Sequence, residues 1–125
     1  MGADTVADAA SWFCLGVGVL MLAWWAVAIR QGALTRPDRA PAEIRLHLAA
    51  EVLTAVLLVV GAVQLRLGAG AGPAVVGLGM LLYTVIASPG YFVARGERPP
   101  VVMFAVLGMA DAVVLLALLG ADLRL

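Results

Sequence analysis

Four long apolar stretches alternate with short polar or glycine-rich connections along the chain, at about 9–29, 44–65, 73–93 and 101–119. A helix needs about 20 apolar residues to cross roughly 30 Å of hydrocarbon. Each stretch is of that order. The pattern therefore predicts an all-α polytopic membrane protein with a single membrane domain over 1–125. Short connections put consecutive helices side by side, so the expected fold is an antiparallel four-transmembrane-helix bundle.

Local signals set the ends of these elements. Asp8 sits near the start of the first span, where an acid suits the helix dipole. Trp12 and Phe13 lie toward one interface and Trp24 and Trp25 toward the other, as an aromatic belt requires. Gly16 and Gly18 offer a smooth patch for close helix contact. The long polar connection 30–42 ends at Pro41, which suits a first helical turn because its missing N–H is not needed there. Gly68, Gly70 and Gly72 form a turn that lacks the spacing and lysine of a phosphate-binding loop. The third span is interrupted at Ser88-Pro89-Gly90, where Pro89 has no N–H for the carbonyl of Val85. Two readings follow: an unwound segment that offers carbonyls to an ion, or a simple kink or early helix end.

Composition agrees with the pattern. Of 125 residues, 64% are hydrophobic and 13% charged, against about half and a quarter in soluble domains. Net charge is zero and no basic stripe exists, which disfavours nucleic acid as a partner. All eight basic residues are arginine, and the Ala, Gly, Val and Leu content hints at a GC-rich bacterial source. Arg30, Arg36, Arg39, Arg45, Arg95 and Arg98 flank the first and third connections, whereas Arg66 and Arg124 lie on the other side. Positive charge is retained in the cytoplasm. The expected setting is thus the bacterial cytoplasmic (inner) membrane, with both termini outside and loops 30–42 and 94–99 cytoplasmic. The residues before the first span are acidic rather than basic, so that span reads as a retained helix, not a cleaved signal. One cysteine, Cys14, forms no intramolecular disulfide or redox pair and reads as a packing residue.

Candidate chemistry lies within the spans. His47, Glu51 and Thr54 follow at i, i+4 and i+7, on one helical face. Glu51 is about 10 Å inside the second span and Asp111 about 15 Å inside the fourth, counted from the cytoplasmic ends. If those helices are neighbours, the two acids sit at similar depth. Tyr83, Ala87 and Tyr91 share a face of the third span, with Ser88 beside it. Ionisable groups in a span cost about 2.5 to 3.5 kcal/mol on insertion scales, and they turn inward to find partners. The expectation is a buried cluster of His47, Glu51, Tyr83 and Asp111, with Thr54 and Ser88 at its margin.

Such a cluster has several readings. It can bind a proton or cation, as intramembrane acids with a histidine do in proton relays. It can bind a small lipophilic ligand with help from Trp24, Trp25, Tyr83, Tyr91 and Phe92. It can also serve only to fix helix packing in an accessory or structural subunit. A metal held by His47, Glu51 and Asp111 is disfavoured, since Glu-x-x-His and His-Glu-x-x-His motifs are both absent. No cofactor is predicted. Catalysis is the weakest reading, because Ser88 and Cys14 lack an activating context and Ser11 lies at the other membrane face from His47. A homo-oligomer or a larger membrane complex is the expected assembly, four helices being few for a pathway.

Overall fold

The computed structural model describes residues 3–32, 41–89, 93, 96 and 98–121. Four helices account for nearly all of them: α1 (Ala3–Arg30), α2 (Pro41–Leu67), α3 (Gly72–Ala87) and α4 (Arg98–Gly120). No strand occurs among the described residues. Helices α1, α2 and α4 are long and apolar enough to cross a membrane, while α3 is apolar but shorter. The expected Tyr91, Phe92, Arg36, Arg39, Arg95 and Arg124 positions lie outside the described residues.

Backbone chemistry fixes the ends. Gly68 closes α2 with φ +69°, a left-handed conformation that costs other L-residues strain. Its N–H reaches Leu65 O at 3.3 Å and that of Ala69 reaches Gln64 O at 2.9 Å. These paired bonds cap the last carbonyls of α2 in a Schellman arrangement. Helix α3 then opens with Pro73 in its first turn. It ends where the proline signal lies. The Ser88 N–H still donates to Thr84 O at 2.9 Å, but Pro89 has none to give and the continuous helix stops.

The helices pack in chain order, α1 on α2, α2 on α3 and α3 on α4, and α1 touches α4 lightly to close the ring. Helices α2 and α4 stand at opposite corners and do not pack on each other. Lipid is as apolar as leucine, so burying hydrocarbon gives membrane helices little drive to associate; dispersion between closely approaching backbones does more. The interior accordingly uses Ala10, Ala55, Ala62, Ala71 and Ala74 beside Leu58, Leu78, Leu81 and Leu118. The tightest approach is Gly61 on α3, where a β-carbon would stand 2.5 Å from Ala74 N. Gly77 approaches the α2 backbone at Leu58 in the same seam, and Gly18 brings α1 onto Ala55, Leu58 and Val59. Gly16, expected to share that patch, faces open space.

Candidate functional site

Glu51 lines a largely apolar cleft at the end of the bundle that holds the start of α2. One α2 turn earlier, His47 places Nε2 3.3 Å from Glu51 Oε2. The same oxygen accepts a hydrogen bond from Trp25 Nε1–H on α1. The Trp25 and His47 rings meet edge to face, with centroids 5.9 Å apart and planes at 65°. The antiparallel register explains this: Trp25 lies near the end of α1, and His47 and Glu51 near the start of α2. The pair becomes a full ion pair whenever the imidazole is protonated.

A cleft of about 210 Å³ opens beside this group between α2 and α3. It is lined by His47, Glu51 and Thr54 from α2 and by Tyr83 and Thr84 from α3, with Ser88 at the break. Thr54 donates its hydroxyl to Ala50 O at 2.8 Å, and Thr84 donates to Met80 O at 3.1 Å. Each threonine thus satisfies its proton within its own helix. The cleft therefore combines one carboxylate, an imidazole and four hydroxyl oxygens with apolar walls. That inventory suits a small cation or a ligand with hydrogen-bond donors.

Two expected members of the cluster stand differently. Tyr83 is 74% exposed, so its ring looks toward lipid and only edges the cleft. Asp111 does not line the cleft at all. It lies on α4, which does not pack on α2, and its electrostatic neighbour is Cys14 of α1. The two acids thus stand at different corners of the bundle. The three-ligand set His47, Glu51 and Asp111 is not assembled, and no group of three metal-ligating side chains occurs among the described residues. Of the aromatic residues considered for a lipophilic ligand, Trp25 turns in to Glu51, while Trp24 is exposed.

Sequence reasoning missed two features. Trp25 was placed as an interface anchor, although laying α1 antiparallel to α2 brings it level with Glu51. At the opposite end, Arg66 Nη1 donates to Asp8 Oδ1 at 3.2 Å and to Ser11 Oγ at 3.1 Å, and its guanidinium lies 4.7 Å from the Trp12 ring centroid. Ser11 in turn donates to Asp8 O at 2.7 Å. The same antiparallel register, read outward from the glycine turn, puts the end of α2 against the start of α1.

An antiparallel helical bundle with three membrane-length apolar helices defines a small polytopic membrane protein. The chain belongs to the family described as "Domain of unknown function (DUF8058)", whose model matches residues 5–124. No curated protein and no solved structure matches it.

Proposed function

We propose that this protein binds a small cation, a proton included, or a small polar-headed lipophilic ligand in the α2–α3 cleft. The supporting observation is the convergence of His47, Glu51, Thr54, Tyr83, Thr84 and Ser88 from two helices around one membrane-embedded space. Glu51 supplies the charge, His47 and Trp25 hold its orientation, and the hydroxyls supply neutral oxygen ligands. The setting is the bacterial cytoplasmic membrane, with both termini outside and the cleft toward the cytoplasmic face by the arginine distribution. The assembly is a homo-oligomer or part of a larger membrane complex.

Trp25 touches Glu51, so its fluorescence reports on the cleft. In protein with Trp12 and Trp24 replaced by Phe, in nanodiscs, sodium, potassium and methylammonium salts and a short-chain quinone are titrated in turn. A saturable response to one of these that vanishes in Glu51→Gln supports the proposal. A flat response to every probe, with no proton flux in liposomes, rejects it.

A second reading has its own observation. Glu51 already accepts from Trp25 and pairs with His47, so the group also works as an α1–α2 clasp in an accessory subunit. Loss of folded protein in Glu51→Gln, with no binding or flux in the parent, selects that reading.

A further inference from the structure

Asp111 has different surroundings from the other polar side chains within the bundle. It lies on the inward face of α4, one turn from Gly108, which packs on Val85 of α3, and two turns from the buried Leu118. On its α1 side the buried Cys14 thiol is within electrostatic reach. The side chain is fully buried, and neither carboxyl oxygen has a hydrogen-bond partner among the described residues. Thr54, Thr84 and Ser11 by contrast each return a hydroxyl to a backbone carbonyl of their own helix.

Buried polar atoms in folded proteins are matched by a partner, and an unmatched carboxylate is among the costliest groups to keep out of water. The facing elements supply no compensating charge. Helix α1 presents Cys14, and its Asp8 is held by Arg66 at the bundle's end. Helix α3 has Tyr83 as its titratable group, which is exposed, and α2 does not pack on α4. One carboxylate carries one negative charge. A monovalent cation cancels it, whereas a divalent ion leaves positive charge uncompensated in a low-dielectric interior.

We therefore propose that Asp111, buried near Cys14, is an intramembrane proton-binding site, separate from the α2–α3 cleft. The site stands whether or not the cleft binds a ligand.

The test reads the wild-type chain in nanodiscs, with Asp111→Asn as the control for where the adduct forms. N,N′-dicyclohexylcarbodiimide, an apolar reagent that adds to protonated carboxyl groups, is followed by peptide mass spectrometry. The expected result is an adduct on Asp111 whose formation slows by about tenfold or more between acidic and alkaline pH. Sodium chloride slowing the reaction beyond equal choline chloride at fixed pH overturns the proton assignment. Slowing by pH alone assigns the proton. An unreactive Asp111, or a rate that neither pH nor sodium changes, overturns the proposal. So does an adduct that persists on the same peptide in Asp111→Asn.

Discussion

Glu51 and Asp111 are both acids within apolar helices, yet the fold treats them oppositely. Glu51 is 15% exposed at its side chain, accepts from Trp25, pairs with His47 and faces a cleft. Asp111 is fully buried, and its oxygens have no hydrogen-bond partner among the described residues. The difference lies in which helix stands beside each acid. Helix α1 offers a tryptophan donor at the level of Glu51 and a thiol at the level of Asp111. An acid that supports its neighbours and an acid that burdens its own helix therefore look alike in the sequence.

The largest effect should come from forcing the cleft seam apart. Gly61→Val would drive a β-carbon to within 2.5 Å of Ala74 N, and backbone cannot swing away as a side chain does. A cost of about 3 kcal/mol or more is expected, with loss of the Trp25 response, read by thermal unfolding in detergent and by fluorescence. Gly108→Ala is the control on the Asp111 side. It meets Val85 Cγ2 at 3.0 Å, a methyl contact that a shift of a few tenths of an ångström relieves, so stability should hold to within about 1 kcal/mol.

Next comes Glu51→Leu, which strands the Trp25 N–H and His47. It should destabilise by about 2 kcal/mol. Asp111→Val should do the reverse and stabilise by about 1 kcal/mol, since an unmatched carboxyl is replaced by hydrocarbon at the price of slight overpacking. Equal signs for the two substitutions in the same unfolding assay would erase the distinction between the acids. The smallest effect belongs to Arg66→Ala. Its ion pair with Asp8 is solvent-exposed and screened, and the Trp12 contact is partly exposed too. A loss of about 0.5 kcal/mol that shrinks with added salt is expected.

Much of this architecture is legible because membrane length and apolar run length are directly linked. The prolines and glycines at Pro41, Gly68, Pro73 and Pro89 punctuate the helices where chain chemistry demands it. Helical spacing likewise brings His47 onto Glu51, since both lie on one face a turn apart. Spacing says nothing about which helices become neighbours. Similar depth from the cytoplasmic ends had suggested that Glu51 and Asp111 meet, but α2 and α4 occupy opposite corners. Trp25 escaped notice because an aromatic near a span end has a sufficient explanation as an anchor. Its second role exists only once α1 lies against α2.

The break at Ser88 has a consequence for the bilayer itself. The unbroken part of α3 rises about 24 Å, short of the roughly 30 Å hydrocarbon thickness. Lipid answers such mismatch by thinning locally, at a fraction of a kcal/mol per Å. The break lies on the cleft side, so a bilayer thinned there would bring headgroups and water toward Glu51. Acyl-chain length would then bear on how wet the cleft is, which makes hydration of the site a property of the membrane as much as of the protein.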